Sequence, residues 1–378
     1  MPLGSQRDLF DVPDEIAYLN TANMSPLLLS VREAGDRALA RRAAPWTITA
    51  ADWFSDVERL RDAFAAVMAV DSDGVALVPA TSYGLAVAAR NLAASPGDQV
   101  VVLADEYPSN YYTWRRFCGR TGAELVVVER TPDQTWTEAV LGQISERTAV
   151  LAVPNVHWTN GSLVDLEVVV PVARSAGAAV VIDASQSLGA MTLDVAQLQP
   201  DFVVSVGYKW LLGPIGVGCL YVAERFRAGE PIEENWVNRE GSEDFAALVD
   251  YADAYRPGAR RFDVGQRTNF GLVPMAIAAV EQIREWTVAR VAAHLQTVTD
   301  EIGKRVADLG LVVPARDRHG PHMFGIELPR DIAQALDQRL AASGVVASVR
   351  GSSLRIAPHL HTNGSDIDRL VDCLGSVA

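Results

Sequence analysis

The sequence predicts an α/β protein with a mostly parallel sheet, covered by helices on both faces and followed by a smaller C-terminal α/β unit. Three observations carry that reading. Short Val-rich apolar runs at 75–78, 100–103, 125–128, 150–153, 179–182 and 202–206 alternate with segments of helical period, the rhythm of repeated βαβ units. The runs are continuously apolar rather than alternating, which requires strands buried on both faces. A second, shorter set follows, with strands expected at 323–328, 345–349 and 354–356 and helices at 332–343 and 367–374.

Around this framework, residues 27–42 and 53–70 have the period of amphipathic helices and follow the turn-prone stretch 20–26. Residues 228–261 are rich in Gly, Pro and acids, as in a long excursion able to border a site. Extended helical sequence runs over 273–309. The expected plan is an N-terminal segment 1–26, a large domain 27–270 that includes the helical arm, connecting helices 271–310 and a small domain 311–378.

At 378 residues with 49% hydrophobic and 21% charged residues, the chain is large enough and apolar enough for a substantial core. A formal charge of -14 argues against nucleic acid or an anionic membrane as partner, since both demand clustered positive charge, and leaves a small molecule. Of the 33 basic residues only Lys209 and Lys304 are lysine, so any chemistry that needs an amine has two candidates. Lys304 lies in a polar helical stretch and reads as solvated. Cys118, Cys219 and Cys373 are widely spaced, which suggests neither a disulfide framework nor a zinc cluster. His319 with His322, and His359 with His361, lack acidic or cysteine co-ligands at a recognised spacing, and no metal is expected. Residues 1–10 contain no apolar stretch of signal-peptide type, and no segment approaches membrane-spanning length, so a cytoplasmic protein is expected.

The run at 180–182 ends in Asp183-Ala184-Ser185-Gln186-Ser187, and the run at 202–206 ends in Gly207-Tyr208-Lys209-Trp210 before a glycine-rich stretch. In an open α/β sheet, ligands bind at the carboxyl ends of strands. The separation of Asp183 and Lys209 leaves room for one crossover, so both can reach one crevice. A buried lysine of lowered pKa captures an aldehyde cofactor as a Schiff base. A carboxylate beside a pyridine nitrogen keeps it protonated; a unit pair about 4 Å apart at an effective dielectric near 20 is worth about 4 kcal/mol, or about three pKa units. Pyridoxal 5'-phosphate is the cofactor that uses both. Its phosphate would find hydroxyls and a helix N-terminus at Thr81 and Ser82, after the run at 75–78, and Tyr107 offers its ring an aromatic face. Asp183, Thr81 and Ser82 could alternatively serve as helix caps, and Tyr107 as packing.

These residues resemble the class V aminotransferase family of fold type I pyridoxal phosphate enzymes, which includes cysteine desulfurases, kynureninases and isopenicillin N epimerase. The likeness spans nearly the whole chain and is most specific at Asp183-Ala184-Ser185-Gln186 and at residues 207–214, which look like the family's Asp-Ala-x-Gln and Lys motifs. It implies a large, mostly parallel seven-stranded sheet domain with a smaller C-terminal domain. It implies that Thr81 and Ser82 bind phosphate, that Tyr107 stacks where many relatives have histidine, that Gln186 bonds the ring oxygen and that Tyr208 touches the phosphate. The stretch 261–270 resembles the family segment that reaches a partner's cofactor, so Gln266 and Asn269 imply a homodimer. Arg350 and Arg355 lie in stretches resembling the segment whose arginine clamps the substrate carboxylate, a task suited to a bidentate guanidinium, though either could pair on the surface.

Two departures bear on the reaction. Where desulfurases present Asn beside the cofactor oxygen, this chain reads Val156-His157-Trp158-Thr159, closer to the kynureninase and epimerase branches, and residues 316–350 lack the cysteine that desulfurases use to take sulfur. An aminotransferase-like enzyme acting on an α-amino acid or related amine is therefore expected. A C-S lyase, a kynureninase-like hydrolase and an amino-acid epimerase remain as alternatives, and a non-catalytic scaffold that keeps the fold is the alternative of another class.

Overall fold

A computed structural model describes residues 3–328 and 330–375, with the side chains of 330–335 left aside. In chain order the elements are β1 (Ala17–Tyr18), α1 (Leu29–Arg42), α2 (Ser55–Met68), β2 (Val75–Val78), α3 (Thr81–Asn91), β3 (Gln99–Leu103), α4 (Pro108–Thr121), β4 (Glu124–Val128), α5 (Trp136–Leu141), β5 (Thr148–Pro154), α6 (Leu166–Ser175), β6 (Ala179–Asp183), α7 (Val195–Leu198), β7 (Phe202–Val206) and β8 (Gly218–Val222). There follow α8 (Leu272–Trp286), α9 (Val288–Asp308), β9 (Phe324–Glu327), α10 (Arg330–Ala342), β10 (Val345–Val346), β11 (Ser348–Arg350), β12 (Ser353–Ile356) and α11 (Gly364–Gly375).

Seven strands form one sheet in the order β2-β8-β7-β6-β5-β3-β4. Only β8 is antiparallel to its neighbours, pairing with β2 and β7. Successive residues of the inner strands enter opposite cores: Val101 and Leu103 of β3 pack with α2, α6 and α8 residues, whereas Val100 and Val102 pack with α3 and α4. That two-sided burial is what the continuous apolar runs demand. The smaller unit is a three-stranded antiparallel sheet, β11-β12-β9, with β1 pairing to β10 beside it.

Two features differ from the sequence expectation. The seventh strand, β8, is absent from the runs read as strands, because it opens on Gly218 at the end of a glycine-rich stretch with Gly213 and Gly216 and no helix before it. The helical stretch 273–309 is two helices, broken where Thr287 takes a left-handed φ of 65°. The Thr287 hydroxyl accepts the amide of Arg290 and so caps α9. Among the described residues, no helix is long and apolar enough to cross a membrane.

The N-terminal arm and the 261–270 stretch are tied to the sheet by a buried charge network. Arg61 of α2 donates to Asp263 at 3.0 and 2.7 Å, Arg267 donates to the same carboxylate, and the amide of Leu77 in β2 completes its shell at 2.7 Å. Arg61, Asp263 and Arg267 are all buried. Burial alone would raise the Asp263 pKa, but the two guanidinium groups carry it below the ordinary carboxylate value.

Candidate active site

The sheet order changes direction at β3: the chain steps outward to β4 and then returns to β5 on the other side of β3. Loops leaving the carboxyl ends of β3 and β5 therefore diverge around a crevice, the usual ligand position in such sheets. A cavity of about 210 Å³ lies there, lined by residues that follow β2, β3, β5, β6 and β7. Thr81, Ser82, Tyr107, Asp183, Gln186, Tyr208 and Lys209 all line it.

Lys209 is presented by a tight loop between β7 and β8. Gly207 donates to Val217 O and Gly213 donates to Gly207 O, both at 2.8 Å. A side chain at Gly207 would place its Cβ 2.6 Å from Val217 O, and one at Gly218 would come within 2.4 Å of Ser205 O, so the closed loop needs glycine at both ends. The lysine is buried and, among the described residues, forms no salt bridge. Its ammonium lies 5.5 Å from the ring centre of Tyr107 and 5.8 Å from that of Tyr208. Burial pushes its pKa down to about 8, with Arg355 acting in the same direction and Asp183 opposing.

Asp183 closes β6 and is buried; its carboxylate accepts the Ser185 amide at 2.9 Å. Burial raises its pKa against the opposing pull of Ser185 and Lys209. Ser185 in turn meets Thr81, hydroxyl to hydroxyl, at 2.7 Å, which ties the Asp183 turn to the first residue of α3. That helix has no side-chain cap, so the amides of Thr81 and Ser82 stand outside its hydrogen-bond ladder. A phosphate-sized anion is the group such an end accepts.

Tyr107 is 38% exposed, and its ring meets Trp158 edge to face at 5.6 Å. Its position depends on Asp105, which takes a left-handed φ of 50° and whose carbonyl accepts the Trp158 indole at 2.7 Å. Gln186 lines the cavity, but its amide is already engaged: Oε1 accepts from Trp210 Nε1 at 2.9 Å and Nε2 donates to Ala22 O at 3.1 Å. One Nε2 hydrogen is left for a ligand.

Of the two arginines weighed for the substrate, Arg355 of β12 is the buried one. It donates to Trp158 O at 2.7 Å and to Asn20 Oδ1 at 3.3 Å, and no carboxylate pairs with it among the described residues. Burial and the neighbouring Arg350 lower its pKa to about 10. Arg350 is only partly buried and donates to its neighbour's carbonyl, Val349 O. Neither arginine is in the immediate wall of the cavity, and neither are Gln266 and Asn269, which are exposed on the surface. Asn269 there receives the amides of Gly271 and Leu272 at the start of α8. No residue of 228–261 lines this cavity.

Sequence reasoning passed over Glu106, Trp158 and Ile215, which also line the cavity. Glu106 is buried, and burial together with the Asp183 carboxylate raises its pKa to about 8. Its place beside Tyr107, immediately after β3, was the available signal. Asn155, just beyond β5, is buried, accepts from Ser187 at 2.6 Å and lines a different cavity.

The cavity thus contains what pyridoxal phosphate needs: an amine without a salt bridge, a buried carboxylate, an uncapped helix end and an aromatic face. Comparison with known proteins decides the family, since the model of the aminotransferase class V family matches residues 46–363. The chain belongs to this pyridoxal phosphate-dependent enzyme family. It is 26% identical over 326 residues to the uncharacterized aminotransferase YcbU of Bacillus subtilis (strain 168), covering 85% of this chain and 84% of that protein. It is 25% identical over 380 residues to the isopenicillin N epimerase of Streptomyces clavuligerus, covering 96% and 95% respectively. Among solved structures, an apo cysteine desulfurase from Thermococcus onnurineus NA1 superposes with a TM-score of 0.86 at 20% identity, over 99% of this chain and 98% of that one. The class V fold, with its seven-stranded sheet and smaller C-terminal unit, is the fold type I architecture implied by the sequence motifs.

Proposed function

We propose that this class V enzyme acts on an α-amino acid or related amine in an aminotransferase-like reaction, with Lys209 as the catalytic amine. The observation that carries the reading is the buried Lys209 beside Asp183, both opening on the cavity that begins at the amides of Thr81 and Ser82. Bound pyridoxal phosphate supplies an aldehyde carbon and a ring that accepts the electron pair from a breaking bond at the substrate's Cα.

The chain's own groups do the rest. Thr81, Ser82 and Tyr208 would hold the phosphate, Tyr107 would cover one face of the ring, and Gln186 would donate its remaining hydrogen to the ring oxygen. Asp183 would hold the proton on the pyridine nitrogen, whose cationic N-H would offset the burial that raises the Asp183 pKa. Lys209 Nζ is the group that would hold the aldehyde carbon, and as a free amine it would take and return the proton at the substrate's Cα. Arg355 receives the substrate carboxylate, because it is a buried guanidinium without a carboxylate of its own. Trp158 and Tyr107 close the outer wall and keep water away. Gln266 and Asn269, exposed and outside the wall of this cavity, would complete a partner's site in a homodimer.

A persulfide-forming desulfurase is disfavoured, since Cys118, Cys219 and Cys373 are all buried, in α4, β8 and α11, and none lines the cavity. Holoenzyme mixed with candidate amino acids, while keto acid, sulfide and substrate chirality are followed together, tests the reaction type. Keto acid formed with the amino form of the cofactor supports the proposal; sulfide release or inversion at Cα without it assigns a C-S lyase or an epimerase instead.

A further inference from the structure

A second cavity of about 880 Å³ opens behind the first, between the loops after β4 and β5 and the C-terminal sheet. Its volume falls in the range of sites built for small organic ligands. It is separate from the proposed reaction centre: Lys209, Asp183 and Tyr107 are not in its wall.

Its lining combines an apolar body with two cations. Leu163, Met191, Leu193, Leu198, Val312 and Pro314 supply apolar surface. Arg130 lies over the ring of Trp136, 5.2 Å from its centroid, and Trp136 is itself part of the wall. Arg318 also lines the cavity. Each arginine donates to a backbone carbonyl, Arg130 to Gln134 O and Arg318 to Asp133 O, both at 3.2 Å. Among the described residues, neither forms a salt bridge with a carboxylate. The two are near enough to repel: after burial, Arg318 is the next cause lowering the Arg130 pKa, with Glu327 opposing. Two like charges held together beside apolar surface are relieved by an anion.

The acids in the wall limit which anion. Asp165, Glu167, Asp194, Asp317 and Glu327 are all exposed, as is Arg318; Asp165 and Asp194 accept the amides of Glu167 and Gln197, and Glu327 accepts the Ser352 hydroxyl. Repulsion from the five carboxylates grows with ligand charge, so a polyanion such as a nucleotide is disfavoured more than a single negative head held by the two guanidinium groups. We infer that this cavity is a second ligand site, for an amphiphilic organic monoanion whose carboxylate or sulfonate sits between Arg130 and Arg318 and whose apolar body lies along Trp136 and the leucines. This inference does not depend on which reaction the first cavity performs.

The probe is 8-anilinonaphthalene-1-sulfonate, an aromatic body with one anionic head, titrated against the holoenzyme by fluorescence. Neutral N-phenyl-1-naphthylamine and ATP serve as comparators. Expected are one saturable site for the sulfonate, at least tenfold weaker binding in the R130Q/R318Q variant, no such change for the neutral probe, and no displacement by ATP. Val312 is 69% exposed at the cavity wall, so Val312→Trp blocks the cavity without disturbing the core, and it too should weaken the sulfonate at least tenfold. Circular dichroism and melting temperature establish that both variants are folded. Equal sulfonate affinity in wild type and either folded variant, the absence of a saturable site, or equal loss of the neutral probe in R130Q/R318Q would each overturn the inference.

Discussion

The ammonium of Lys209 lies over the ring of Tyr107, 5.5 Å from its centre, with no carboxylate in salt-bridge contact among the described residues. The space between those two groups is where a flat cofactor ring would enter, and its entry would replace a cation-aromatic contact with a covalent bond to Nζ. The amine must be neutral to form that bond. Burial has already brought its pKa to about 8, so the neutral fraction is small at pH 6 and dominant above pH 9. The rate at which apoenzyme captures pyridoxal phosphate, followed by stopped-flow absorbance, should therefore rise with pH through a midpoint near 8. A flat profile from pH 6 to 10 would show that the amine's protonation does not govern capture.

Arg355 donates to two neutral acceptors and, among the described residues, forms no ion pair. If it receives the substrate carboxylate, Arg355→Gln loses charge-assisted bonds worth about 2–3 kcal/mol, which corresponds to roughly 30- to 150-fold in KM if kcat is spared. Arg350→Gln should change KM by less than about threefold, in keeping with its partly buried position and backbone contact. Steady-state kinetics of the two variants decides between them, and the reverse order of effects would move the role to Arg350.

Asp263 holds two buried guanidinium groups. Asp263→Asn leaves buried Arg267 without a counter-charge and Arg61 with Glu58 alone, and breaking such a pair costs about 3–5 kcal/mol. Urea unfolding should show that loss at neutral pH. The folded pKa of Asp263 lies below its ordinary value, so its contribution is complete above the normal carboxylate range and disappears as pH falls through the lowered folded value. The stability gap between wild type and variant should accordingly narrow in acid. A variant as stable as wild type at neutral pH would show the network to be dispensable.

The site was legible where chemistry and strand position coincide in the sequence. Asp183 and Lys209 each follow a continuous apolar run, and Thr81 opens the helix after another; the sheet then places all three on one edge. Arg355 could not be preferred over Arg350 from sequence, because the difference is burial. The β11-β12 register sets Arg355 opposite Ser348, under the Trp158 carbonyl, and Arg350 opposite Ser353 nearer the surface. β8 was missed because glycines crowd its start: Gly216 sits in a turn at a φ of 90°, and Gly218 is required by close approach to the Ser205 carbonyl. The break at Thr287 left no trace either, since neither Gly nor Pro marks it. The buried partners of Asp263, at sequence separations of 202 and 186 residues, depend on tertiary placement that no local pattern encodes.

The account rests on the ε-amine of residue 209 being the group that binds the cofactor. Purified protein loaded with pyridoxal phosphate, reduced with borohydride and digested for peptide mass spectrometry tests this directly. The expected result is a single phosphopyridoxyl modification on Lys209, lost together with the visible absorbance in Lys209→Ala. Modification of Lys304, or a wild-type protein that stays colourless and unmodified at saturating cofactor, would contradict it.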